Sequence, residues 1–163
     1  HPIAEEIEIK ISKKQFAEKF HLDLQKRRLG FFPGSRNTEI RKILPVFIET
    51  IEKFDANEFE FLISKATTVN DDLFGKLTKS QIGKVKIITR NRYEMMKYCD
   101  FSVVTSGTAT LENAFLGTPF LIVYKTGKIS YEIGKRIIKI GRIGLPNIIL
   151  NENVIPELIQ NEV

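Results

Sequence analysis

A doubly wound, Rossmann-like parallel α/β sheet is the fold this sequence predicts, and three observations predict it. Strand-like runs recur along the chain, with helical patterns in between. Several of the runs are almost wholly apolar, as in strands buried on both faces, and such strands need helices above and below them. Two of the runs end in small, glycine-containing turns, Pro33-Gly34-Ser35-Arg36 and Ser106-Gly107-Thr108, each opening into a helical pattern.

In chain order, Ile7, Ile9 and Ile11 alternate with charged residues, predicting a short edge strand or an extended connector. Ser12-Lys13-Lys14-Gln15 has the form of a capping box for a short helix that carries Phe16 and Phe20 and closes at His21. A basic patch, Lys26-Arg27-Arg28, precedes the first strand, Leu29 to Phe32. Thr38 to Phe54 places Ile40, Ile43, Leu44, Phe47, Ile48 and Ile51 on one helical stripe, with Pro45 inside it as a candidate kink. Further strands are predicted at 59–63, 84–89, 101–105 and 120–124, with a sixth, irregular one over Ile143 to Leu150. The intervening stretches 65–80, 91–98, 109–116 and 129–140 supply loop and helix, and the last of these reads as a basic amphipathic helix.

The 163 residues suit one domain, and at 42% hydrophobic and 28% charged the chain can bury a core. No apolar run approaches the length needed to cross a bilayer. The single cysteine, Cys99, excludes an intramolecular disulfide, and no cluster of Cys and His has zinc-ligand spacing. A net charge of +5 and a pI of about 9.3 suit an anionic partner without choosing among nucleotide, lipid surface and nucleic acid. The chain starts at His1-Pro2 and stops in a polar segment, so a fragment of a longer protein is expected.

Chemistry concentrates in the two turns. Gly34 permits close approach of the backbone to a ligand, Ser35 and Asn37 suit a helix cap, and Arg36 brings a guanidinium fork that matches phosphate or carboxylate oxygens. An ordinary strand-to-helix turn with a solvated arginine is the plain alternative. In sheet order 3-2-1-4-5-6 the first and fourth strands are neighbours, and ligands sit beyond their carboxyl ends. Gly34-Ser35-Arg36 and Ser106-Gly107-Thr108-Ala109 would then converge on one crevice, where two helix N-termini favour a pyrophosphate. Neither turn has GxGxxG spacing or a P-loop lysine, which disfavours a simple dinucleotide oxidoreductase or a P-loop ATPase. Glu112, one helical turn after Thr108, is placed either to accept ribose hydroxyls or simply to suit the helix dipole. Asn147, in a Pro-Asn turn, needs no function to explain it.

With these pieces in place, the sequence resembles the C-terminal half of the lipid-A-disaccharide synthases, bacterial glycosyltransferases with a two-domain GT-B fold. The likeness is carried by His1-Pro2, PGSRNTEI (33–40), VTSGTATLE (104–112), GTP (117–119), VYKT (123–126), GLPNIIL (144–150) and VIPELIQ (154–160). It implies that residues 1–163 form the C-terminal UDP-sugar-binding domain of an enzyme that transfers 2,3-diacylglucosamine from UDP to diacylglucosamine 1-phosphate with inversion. Arg36 and Asn147 then take the family's catalytic places. Gly34, Ser35, Arg36 and Ser106 to Ala109 would hold the diphosphate, Glu112 the ribose, and backbone near Thr89 to Asn91 the uracil. No metal or other cofactor is implied.

The lipid acceptor and the general base would belong to an N-terminal domain outside this chain, so the chain alone is expected to bind UDP weakly and catalyse nothing. The implied setting is the cytoplasm of a Gram-negative bacterium, at the inner-membrane surface, which the basic segment Lys125 to Arg142 would suit if it lay against anionic lipid. A core-packed helix with a solvated cationic face is the simpler account of that segment. Two other readings remain: another UDP-sugar enzyme of the same fold, such as a 2-epimerase, and a basic nucleic-acid-binding module. The latter would need aromatic residues interleaved with basic ones on an exposed face.

Overall fold

In the computed structural model the described residues are 5–81, 83–125 and 142–163. Helix α1 (Lys13–Phe20) starts from the predicted capping box: the Ser12 hydroxyl accepts from the Gln15 backbone amide at 3.3 Å and the Gln15 side-chain Oε1 accepts from the Ser12 backbone amide at 2.9 Å. It ends at His21, whose left-handed backbone turns the chain toward β1 (Arg27–Phe32). The order continues through α2 (Asn37–Ile51), β2 (Phe59–Ser64), α3 (Asp71–Thr78), β3 (Val85–Ile88), α4 (Arg92–Tyr98), β4 (Phe101–Thr105), α5 (Thr108–Leu116) and β5 (Phe120–Tyr124). After the undescribed stretch come α6 (Leu145–Leu150) and β6 (Glu157–Ile159).

The six strands form one sheet in the order β3-β2-β1-β4-β5-β6, and every neighbouring pair is parallel. This is the doubly wound order, with the winding direction reversing between β1 and β4. Successive side chains point to opposite faces of a strand. Phe31, Phe61 and Ile63 therefore join Ile40, Ile43, Leu44 and Phe47 of α2 and Phe74 of α3 in one apolar layer. Phe32, Leu62 and Val104 join Phe16 of α1, Met95 and Met96 of α4 and Leu116 of α5 in the other. Each such side chain, fully buried, contributes about 1.5–3 kcal/mol. Cys99 is free and buried in the second layer, and burial pushes its thiol far above the ordinary range, so it is a packing residue.

The structure corrects the predicted sixth strand. Residues 145–150 are helical, and the sixth strand is Glu157–Ile159. Pro146 falls in the first turn of α6, where its missing N–H costs nothing and its fixed φ suits a helix. The apolar run Ile148 to Leu150 that suggested a strand is exposed, Ile149 at 60%.

At the other end of the chain, the Ile7–Ile11 alternation proves to be a connector. Ile7 and Ile11 pack against the core, and the Lys10 amide donates to Glu94 Oε1 at 2.8 Å. The basic amphipathic helix expected over 129–140 lies outside the described residues. Among those described, no helix is long and apolar enough to cross a membrane.

Candidate functional site

The carboxyl ends of β1, β2, β3 and β4 open onto one crevice of about 990 Å³. The turn after β1 (Pro33 to Arg36), the loop after β2 (Lys65 to Thr67), Thr89 to Tyr93 after β3 and the turn after β4 (Ser106 to Ala109) all line it. The two glycine turns foreseen in the sequence therefore meet. Register explains why: Phe32 and Val104 are paired at the ends of β1 and β4, so their following turns leave the sheet side by side.

The turn after β1 is held by its own helix. Glu39, in the first turn of α2, accepts from the Ser35 and Arg36 amides at 3.2 and 3.3 Å through Oε2, and from Arg36 Nη1 at 2.7 Å through Oε1. Gly34 has φ 99°, and a Cβ there would stand 2.4 Å from Glu39 Oε2. The close approach that needs glycine is thus made by an internal carboxylate. The cap position also differs from expectation. Arg36 is the N-cap residue of α2, and Asn37 reaches away to accept from the Asn70 amide at 3.0 Å. A three-residue spacing from cap to Glu satisfies the loose amides, so neither the serine nor the asparagine is needed for that task. The Arg36 side chain is 77% exposed and lines the crevice, with one nitrogen tied to Glu39.

The turn after β4 is arranged differently. Gly107 has φ 154° and ψ −166°, a conformation essentially confined to glycine. Ser106 has both donors committed: its amide to Val123 O and its hydroxyl to Ile143 O, each at 2.9 Å. The amides of Thr108 and Ala109, at the start of α5, have no intrahelical acceptor because no residue four back is helical.

Glu112 is 4% exposed and stands behind Arg92 and Tyr93, which line the crevice in front of it. Its Oε1 accepts from Arg92 Nη2 at 2.5 Å and lies 3.4 Å from the Tyr93 hydroxyl, while its buried Oε2 has no partner. Burial pushes the Glu112 carboxyl above the ordinary carboxylate value, and the Arg92 charge and the Tyr93 hydrogen bond pull it back only in part. Among the described residues, no group of three or more His, Cys, Asp or Glu is placed to hold a metal ion.

Comparison with known proteins decides the family. The family model described as lipid-A-disaccharide synthetase matches residues 1–163. This chain belongs to that family. It is 34% identical to the lipid-A-disaccharide synthase of Geobacter sulfurreducens over 99% of this chain and 43% of that protein. The synthase of a Sulfurihydrogenibium species is 38% identical over 99% of this chain and 45% of the relative. The chain thus spans less than half the length of these curated relatives.

Two solved glycosyltransferases share the fold. Escherichia coli ADP-heptose lipopolysaccharide heptosyltransferase II superimposes with TM-score 0.60 at 13% identity, over 73% of this chain and 40% of that one. The family 9 glycosyl transferase from Veillonella parvula gives 0.57 at 14% identity, over 85% and 44%. At such identities the likeness is one of fold.

Within this member of the family, the asparagine of the GLPNIIL segment has a different environment from the other candidates. Asn147 is fully buried, donates to Ile155 O at 2.7 Å and Glu157 Oε1 at 2.8 Å, and accepts from the Ile155 amide at 3.0 Å. Glu157 also accepts from the amides of Ile143 at 2.8 Å and Gly144 at 3.0 Å. Asn147 and Glu157 together fix the segment whose Ile143 carbonyl holds Ser106 and whose Leu145 lines the crevice.

Sequence reasoning did not single out Glu39, Arg92, Tyr93 or Glu157. Glu39 was signalled by its spacing from Arg36. Arg92 and Tyr93 directly follow the Thr89–Asn91 stretch already placed beyond the third strand. Nothing in the sequence marks Glu157 as a hub, because its partners depend on how α6 folds back onto β6.

Proposed function

We propose that residues 1–163 are the nucleotide-binding half of a lipid-A-disaccharide synthase, with the crevice seating the UDP of UDP-2,3-diacylglucosamine. Family membership supports the reaction. The observation that carries the site is the convergence of both glycine turns on one crevice, beside a buried carboxylate.

When the glycosidic bond to UDP breaks, negative charge grows on the β-phosphate. Donors already aimed there lower the barrier without a proton transfer or a metal ion. In this reading Arg36 supplies the main charge-assisted donor from the β1 turn, through the guanidinium nitrogens that Glu39 leaves free. Thr108 and Ala109 supply amides from the β4 turn. Ser106 and Gly107 shape that turn, while Gly34 and Ser35 shape the other. Glu112 takes ribose hydroxyls, and the uracil lies toward Thr89 to Asn91. Asn147 acts through the wall it holds in place and touches no reacting atom. The acceptor, diacylglucosamine 1-phosphate, and the base that activates it belong to the other half of the enzyme. The same reading places the whole enzyme at the cytoplasmic face of the inner membrane.

Calorimetric titration of the chain with UDP tests the site: saturable, weak binding is expected, together with no disaccharide formation by the chain alone. A folded chain that ignores UDP, or one that binds single-stranded oligonucleotide in preference, would overturn the assignment.

A further inference from the structure

The nucleotide reading leaves an unexplained feature beside the crevice. Glu112, the carboxylate with which a ribose would have to bond, is closed off by side chains of this same chain. Arg92 Nη2 sits 2.5 Å from Oε1 and also donates to the Tyr93 hydroxyl at 2.9 Å, and both residues stand between Glu112 and the crevice. Only Oε2 is left, buried and without a partner. A vicinal diol needs two acceptor sites, and with Arg92 in place Glu112 offers one.

The geometry also gives Arg92 somewhere to go. Its guanidinium carbon lies 4.7 Å from the centre of the Tyr93 ring, so the cation can pivot on that aromatic face without losing all its support. Its side chain is 51% exposed, against 5% for the Glu112 side chain, so the arginine has solvent to move into and the glutamate does not. An uncompensated buried carboxylate is costly, so Arg92 can leave only as other donors arrive. Two ribose O–H groups are donors of the required kind, and the displaced guanidinium, already half exposed, moves out into solvent.

We propose that Arg92 is the removable counter-ion of Glu112, exchanged for the two ribose hydroxyls when a nucleoside diphosphate enters, and that it thereby sets how strongly the site selects a ribose diol. Arg92 is on this account a specificity-determining residue, and the inference rests on the nucleotide reading of the crevice.

The test is titration of the chain with UDP and with 2′,3′-dideoxy-UDP, in wild type and in Arg92→Met, with folding followed by far-UV circular dichroism. Wild type is expected to prefer UDP by about tenfold, the worth of a charge-assisted hydrogen bond net of the lost ion pair. In Arg92→Met the preference should grow by about threefold or more, because the diol no longer competes with a cation, while dideoxy-UDP gains nothing. Tyr93→Phe, which removes one donor and leaves the charge pair, should shift the ratio the same way by less, and serves if Arg92→Met does not fold. Glu112→Gln should abolish the preference.

UDP binding with an unchanged or smaller ratio in Arg92→Met, or equal weakening of both nucleotides, would overturn the exchange alone and make Arg92 a simple phosphate contact. A folded wild-type chain that binds neither nucleotide would overturn both the exchange and the nucleotide site.

Discussion

The turns after β1 and β4 occupy equivalent places in the sheet, yet they reach an ordered state by opposite means. In the β1 turn the loose amides are already satisfied, by the Glu39 carboxylate that also grips Arg36. In the β4 turn the serine is tied backward to Val123 and Ile143, and the first amides of α5 are left without helical acceptors. The difference teaches that a glycine-rich turn opening into a helix is not by itself a ready anion cradle. One of these turns offers a side chain held at its root, the other offers backbone.

The largest effect expected from this contrast lies in the cationic side chain. In a full-length synthase Arg36→Ala should lower turnover by about 100- to 1,000-fold, the cost of about 2.7–4 kcal/mol for one lost transition-state donor. Thermal melting should hardly change, because the side chain is 77% exposed. Near wild-type turnover would move the charge stabilisation to the β4 turn.

Next come the two glycines. Gly34→Ala and Gly107→Ala should each destabilise by about 1–3 kcal/mol, from backbone strain. They should differ in additivity. A Cβ at 34 meets Glu39 Oε2, so the double variant Gly34→Ala/Glu39→Ala should lose less than the sum of its two single variants, whereas a Cβ at 107 meets nothing within 4 Å and its loss should add to that of any neighbouring change. Urea denaturation of the single and double variants decides it.

Ser106→Ala should cost about 0.5–1.5 kcal/mol, for the hydrogen bond to Ile143. It should leave UDP affinity nearly unchanged, since that hydroxyl is spent inside the chain. A large fall in affinity would show that Ser106 re-aims toward the ligand.

The smallest effect is one of pH. The carboxyl of Glu112 is raised by burial, so the folded state holds its proton more tightly than the unfolded state. Its contribution to stability is therefore fully present below the unfolded value, 4.5 for an ordinary glutamate, and is lost as pH rises through the folded value. Melting temperatures measured across that interval should fall more steeply for wild type than for Glu112→Gln.

Much of the architecture could be read from the chain. The strands at 101–105 and 120–124 fall where the apolar runs place them, because strands covered on both faces carry no charged residue and few polar ones. The convergence of the turns followed from strand order. The sixth strand was misread because Ile148 to Leu150 are apolar for a reason other than core burial, while the true strand has three half-buried residues and too little pattern to detect. At the site, Arg36 and Glu112 could be picked out as types of residue. Their partners Glu39 and Arg92 could not be picked out equally well. Glu39 is a neighbour on the same turn, but Arg92 meets Glu112 across 20 positions, through packing of α4 on α5.

The central pairing has a kinetic corollary. β1 joins β4 across a wide gap in the chain, the Arg28 amide meeting Asp100 from 72 positions away. Contacts that distant close late and slowly, after more local pairings such as β1 with β2. The floor of the crevice is therefore expected to close after the β1–β2 pairing, an order that φ-value analysis of the two pairings would check. A ligand bridging the two turns would act chiefly as a brake on unfolding, lengthening the lifetime of the native state without hastening its formation.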